Sequence, residues 1–168
     1  MQLFLIRHPR PLIDAGICYG QLDVDCEDPQ PIAEQLKALL PKDTPVISSP
    51  LQRARKLALA LNLNARSDQR LSEINFGQWE GQPWGNIKRE DLDAWAADVL
   101  NFTPPGGESV TDLQHRAIDF VSTLEGSRVA LVTHAGILRA LVGHYRQLPV
   151  SQWTQLKFEF GQMTELKI

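Results

Sequence analysis

The chain is short of cysteine, of net positive charge and of long apolar runs. It holds only 2 cysteines, Cys18 and Cys26, among 168 residues. A cytosolic chain keeps such thiols reduced. A two-cysteine zinc site would need further ligands near by, and no histidine lies within that stretch. Lys and Arg total 17 against 20 Asp and Glu, a net charge of -3. That balance lacks the basic field exploited by non-specific nucleic-acid binders, and any anion site must come from local arginines. No segment approaches the ~20 apolar residues of a membrane span. The opening stretch, Met1–His8, is too short and too soon charged for a secretory leader, so a cytoplasmic location is the expectation. Aromatic residues make up only 7%, yet three of the four tryptophans (Trp79, Trp84 and Trp95) fall between Asn62 and Gly107.

What is present fits one globular domain over residues 1–168, with an ordinary 43% hydrophobic content. Strand-like runs cover Gln2–Arg7, Pro45–Ser48, Val129–His134 and Phe158–Ile168. Helical stripes alternate with them at Ile32–Leu40, Leu51–Leu61, Ser109–Leu124 and Ile137–Tyr145, with Pro50 at a first-turn position and a capping-box pattern from Ser109. This alternation predicts an α/β fold: a three-layer αβα sandwich whose central sheet is mostly parallel, with Phe158–Ile168 as an antiparallel edge strand. Asn62–Gly107 is less regular and reads as an excursion over one end of the sheet.

Four segments carry chemistry. Arg7-His8 ends the first strand, and Thr133-His134-Ala135-Gly136 ends a later one. Ser48-Ser49-Pro50-Leu51-Gln52-Arg53-Ala54 follows the second strand, and Glu73 precedes Phe76-Gly77-Gln78-Trp79-Glu80-Gly81. Ligands in open α/β sheets bind outside the carboxyl ends of the strands. Guanidinium groups match phosphate oxygens, a neutral imidazole is a nucleophile, and a carboxylic acid protonates a leaving oxygen. Each piece alone has a plain reading: a strand-end histidine is more often structural, Arg53 a solvated helix residue, Glu73 one surface acid among many. His115 and His144 lie within helical stretches and read as structural or surface residues. The set in this order fits phosphoryl transfer through a phosphohistidine, which spacing alone does not establish.

Taken jointly, these segments resemble the histidine phosphatase superfamily, which includes the cofactor-dependent phosphoglycerate mutases. The resemblance spans nearly the whole chain. It implies a phosphoglycerate mutase-like fold, His8 as the phosphorylated nucleophile and Arg7 and Arg53 as the phosphoryl clamp. It implies His134 completing the pocket, and Glu73 as acid for the leaving alcohol and then base for water. No cofactor and no metal are implied. The family pattern continues with glycine, a hydroxyl and asparagine after Arg-His, where this chain has Pro9, Pro11 and Asp14. Pro9 gives up a backbone N–H, and an inward Asp14 would repel phosphate. Asp14 therefore faces solvent, or the loop takes another path.

That proline-rich loop, followed by Gly16-Ile17-Cys18-Tyr19-Gly20-Gln21-Leu22-Asp23, resembles the α-ribazole phosphatases of cobalamin biosynthesis. The resemblance places Tyr19, Gly20 and Gln21 near the substrate, with Ala135 after the second histidine and Arg10 restoring positive potential at the mouth. Pro104-Pro105-Gly106-Gly107-Glu108-Ser109 resembles a loop at the pocket mouth. Tyr19, Trp79, Trp84 and Phe102 are candidates for stacking on a flat base, against the alternative of core packing. The expected function is a phosphomonoesterase with a small-molecule partner, α-ribazole 5'-phosphate foremost, and neither nucleic acid nor membrane. A phosphoglycerate mutase or broad sugar phosphatase is the first alternative. A mutase needs cations for a second acidic group, for which Arg10, Lys88 and Arg89 are the candidates. A protein phosphohistidine phosphatase and a non-catalytic phosphate-binding module complete the alternatives. Oligomeric state is not encoded legibly.

Overall fold

The computed structural model describes all residues 1–168. Five strands form one sheet: β1 (Gln2–Arg7), β2 (Val46–Ser48), β3 (Arg66–Ser67), β4 (Arg128–Thr133) and β5 (Met163–Lys167). Their order across the sheet is β3-β2-β4-β1-β5. All neighbouring pairs are parallel except β1 with β5, so the last strand is the antiparallel edge.

β1 and β4 are near-continuous apolar runs because both faces of the sheet are covered. Side chains alternate between faces along a strand, and two cores result. Leu3, Leu5, Val129 and Leu131 pack with α4 (Val110–Ser122) and α5 (Ala135–Tyr145). Phe4, Ile6, Ala130 and Val132 pack on the other face with α1 (Gln30–Leu39) and α2 (Gln52–Leu61). The three-layer arrangement is the one the sequence pattern predicts.

The helix ends follow local chemistry. Ser109 caps α4 in a capping box, its Oγ accepting from Asp112 N–H at 3.1 Å while Asp112 accepts from Ser109 N–H at 3.0 Å. Such a cap contributes about 1 kcal/mol. Pro50 is not in the first turn of α2; the N-cap is Leu51, and Pro50 lies just before it in the turn leaving β2. The Asn62–Gly107 excursion contains β3, three short 3₁₀ turns and α3 (Arg89–Ala97). Its interior is an aromatic cluster in which Trp79 stacks on Phe102 with centroids 5.8 Å apart, and Trp84 stacks on Trp95, also at 5.8 Å. Trp79 and Phe102 thus belong to a packed core. The remaining helix is the short α6 (Val150–Trp153), whose Trp153 is buried. No helix is long and apolar enough to cross a membrane.

Candidate active site

The parallel register brings the sequence-predicted residues together. Arg7 pairs with Thr133 across β1 and β4, and Ser48 pairs with Val132 across β2 and β4. The residues that follow, His8, His134 and Ser49, therefore leave one sheet edge side by side. The His8 and His134 ring centroids are 5.0 Å apart.

His8 is held in one tautomer. Its Nδ1 lies 2.6 Å from the Pro9 carbonyl oxygen. A carbonyl only accepts, so Nδ1 carries the proton and Nε2 keeps its lone pair. Burial pulls the His8 pKa down to about 3; the Pro9 carbonyl opposes this, and the Arg53 and Arg7 charges add to the fall. The imidazole is neutral and nucleophilic around neutrality. Proline surrenders an N–H at position 9 but keeps the carbonyl that orients the ring, so the departure leaves the orientation of the His8 imidazole intact.

His134 is fully buried. Burial, then the charges of His8, Arg53, Arg116 and Arg7, hold it well below the usual histidine range. Its Nε2 is 2.8 Å from Ser49 Oγ, which also accepts from Leu51 N–H at 3.2 Å. With the hydroxyl donating to Nε2, the His134 proton sits on Nδ1.

Arg53, from the first turn of α2, is wholly buried and spends two of its donors on the loop before α1. It donates to Gly20 O at 2.6 Å and Leu22 O at 2.9 Å. Arg7 donates to Phe158 O at 2.6 Å and lies 3.8 Å over the Phe160 ring. Burial lowers both guanidinium pKa values. Four buried side-chain polar atoms lack a partner in the chain: Arg7 Nε, Arg53 Nε, His134 Nδ1 and Ser72 Oγ. Buried polar groups are almost always paired. Three of the four exceptions belong to this cluster, and all three can donate, as an oxyanion site requires.

Glu73 accepts from Ile74 N–H at 3.0 Å and from Gly136 N–H, in the first turn of α5, at 3.2 Å. Its backbone is fastened as well. Gln21 Nε2 and an Arg116 guanidinium nitrogen each donate to the Glu73 carbonyl at 3.0 Å. Arg116 also reaches Arg70 O, Ser72 O and Glu108, whose carboxylate accepts from Asn75 N–H at 2.9 Å.

A cavity of about 240 Å³ opens beside this cluster, lined by Arg7, Tyr19, Gly20, Glu73, Ala135 and Gly136, among others; His8, Arg53 and His134 are not on its wall. His8 keeps only 2% of its surface exposed. Gly20 is there because nothing larger fits: a Cβ would clash with the Ile74 carbonyl oxygen and the Phe76 ring. Gln21 and Arg10 are not on the cavity wall. Gln21 positions Glu73 instead, and Arg10 is an exposed side chain 3.8 Å from Glu27 with its guanidinium 5.1 Å over Phe160. Asp14 faces solvent. Trp84 lines the cavity, whereas Trp79 does not. Cys18 is buried in the aromatic cluster, which pushes its thiol pKa up to about 12, and both cysteines are free. His115 and His144 are exposed on α4 and α5.

Sequence reasoning missed Gly136, Arg116, Arg139, Phe76 and Phe160. Gly136 stood in a recognised motif without a role. Arg116 is legible only as one charge on an amphipathic helix, and Arg139 as one charge after the second histidine.

The model of the histidine phosphatase superfamily (branch 1) matches residues 3–168. The chain belongs to that superfamily. It is 31% identical to glucosyl-3-phosphoglycerate phosphatase of Mycolicibacterium vanbaalenii, over 92% of this chain and 78% of that one. It is also 31% identical to a probable phosphoglycerate mutase of Yersinia pestis, over 94% of this chain and 80% of the other. Among solved structures, a mycobacterial glucosyl-3-phosphoglycerate phosphatase superposes with a TM-score of 0.84 at 28% identity, covering 98% of this chain and 88% of that one. Membership of this superfamily brings a phosphatase or mutase activity.

Proposed function

We propose that the protein is a phosphomonoesterase that works through a phosphohistidine on His8. The observation that carries this reading is the Nδ1–H of His8 bonded to the Pro9 carbonyl, which leaves a buried, unprotonated Nε2. Arg7, Arg53 and His134 supply the unpartnered donors for phosphoryl oxygens. In the first step Nε2 attacks phosphorus, the ester P–O bond breaks, and protonated Glu73 gives its proton to the leaving oxygen. In the second, Glu73 carboxylate takes a proton from water, the oxygen bonds to phosphorus, and the P–N bond breaks. Phosphate leaves, and both residues are restored.

For the alcohol, we propose α-ribazole 5'-phosphate as the first substrate to assay. Its support is the Pro9–Asp23 stretch, with Tyr19 and Trp84 on the cavity wall as aromatic surfaces. A second reading, an ester of phosphoglycerate type, is favoured by Arg139. That residue also lines the cavity, and its side-chain hydrogen bond, from Nε to Leu156 O at 2.8 Å, leaves the other guanidinium nitrogens for an acidic group. The test is a panel of α-ribazole 5'-phosphate, glucosyl-3-phosphoglycerate, 3-phosphoglycerate, a phosphohistidine peptide and simple sugar phosphates, ranked by kcat/KM. A leading value for α-ribazole 5'-phosphate supports the first reading. A leading value for either glycerate ester replaces it with the second.

A further inference from the structure

A second cavity, about 400 Å³ in volume, adjoins the active site. Its lining is mostly apolar and comes from four helices: Trp95 of α3, Val110 and Leu113 of α4, and Trp153 of α6, with Gly136 and Arg139 of α5. It shares Ile74, Phe76, Gly136 and Arg139 with the cavity that holds Arg7 and Glu73. Gly136 is also the residue whose N–H holds the Glu73 carboxylate. The two cavities thus meet beside Glu73, at the residue that follows it in sequence and the glycine bonded to its carboxylate.

We infer that this second cavity is the subsite for the alcohol half of the substrate, and that the alcohol carries a bulky apolar or aromatic group. The inference rests on the phosphomonoesterase reading of the first cavity. Its physical basis is size and lining. The first cavity is smaller, about 240 Å³, and its wall carries the charged groups Arg7 and Glu73. The second has the volume and apolar walls typical of small-molecule sites. Burying an aromatic ring there gains free energy in proportion to its area, whereas a small polyhydroxy alcohol gains nothing from Trp95, Val110 or Trp153. Arg139, at the junction, would face the linker between phosphate and ring.

The test compares 3-phenylpropyl phosphate with ethyl phosphate, two alkyl esters of equal leaving-group chemistry, on the native protein and on Val99→Trp and Ala96→Asp. Val99 and Ala96 line the second cavity only. Native enzyme should favour the phenylpropyl ester in kcat/KM. Each variant should lower that preference by roughly 10-fold, the scale of a methylene or two in an apolar pocket, while leaving ethyl phosphate unchanged. Equal kcat/KM for the two esters, or equal losses on both in the variants, overturns the subsite. Binding of the non-hydrolysable phenylpropyl- and ethylphosphonates, followed by tryptophan fluorescence, separates the two claims. Absent turnover with tighter, variant-sensitive phenylpropylphosphonate binding removes the phosphatase reading and keeps the subsite. Turnover with no phenylpropyl preference does the reverse.

Discussion

The backbone N–H of Gly136 donates to Glu73 Oε2 at 3.2 Å, and a Cβ built on Gly136 would clash with the other carboxylate oxygen. The first turn of α5 therefore sets where the proposed general acid sits, and only glycine allows that approach. Gly136→Ala forces the carboxylate away without removing it. We expect kcat for alkyl phosphates to fall by about 10²-fold, the lower end of what general acid–base catalysis contributes. Aryl phosphates with good leaving groups should be slowed far less. Glu73→Gln should show the same split, and equal losses on both ester classes would count against an acid role.

Pro9 makes a contrasting prediction. Its contribution is the carbonyl that accepts from His8 Nδ1 at 2.6 Å. Glycine has the same carbonyl, so Pro9→Gly should keep kcat within about threefold of the parent, the modest scale of a substitution that preserves its key contact. A loss as deep as that of a nucleophile variant would show that the proline ring itself matters. Steady-state kinetics at saturating substrate read this directly.

Stability should fall on acidification. Burial lowers the pKa of His8 to about 3 and holds His134 well below the histidine range. The unfolded chain binds these protons near pH 6.5, an ordinary histidine value, while the folded chain refuses them. Between the two pKa values the unfolded state holds more protons, so unfolding free energy rises with pH and is fully restored above about pH 6.5. Each histidine gives a slope of about 1.4 kcal/mol per pH unit inside that window. Urea unfolding from pH 4 to 8 should show this slope, and His8→Gln should remove the His8 share. A pH-independent midpoint below pH 6 would contradict it.

Much of this arrangement was legible in the residues. Leu3–Ile6 and Val129–Val132 read as strands because both sheet faces bury them. Arg7, His8, Arg53, Glu73 and His134 stood at the ends of such elements. Other parts were hidden for identifiable reasons. Helix α3 contains no fully buried residue; its short stripe, Leu92 and Trp95, packs only half-buried against the aromatic cluster, and β3 has two residues, both exposed. Gln21 and Arg10 carried the right chemistry for a substrate contact. Gln21 is instead bonded to Glu73 O, and Arg10 lies beside Glu27, partners far away in sequence or outside the pocket. Arg116 fastens the Glu73 segment through three carbonyls, a role that appears only when α4 lies against residues 70–75.

Phosphoryl charge in this account is met by Arg7, Arg53 and His134. Exhaustive treatment with EDTA should therefore leave kcat/KM for an alkyl phosphate unchanged. Arg53→Lys should lower it sharply, because lysine cannot reproduce the guanidinium fork that donates to Gly20 O and Leu22 O and still presents Nε. Loss of activity in EDTA, restored by a divalent cation, would replace this electrostatic assignment.

The most direct measurement is acid-labile phosphate on the enzyme during turnover. Rapid quench with a ³²P-labelled substrate, followed by peptide mapping in alkali, should find label on His8 alone, bonded at Nε2. His8→Ala should lack both the label and turnover. Label on another residue, or full turnover by His8→Ala, would contradict the assignment of His8 as nucleophile.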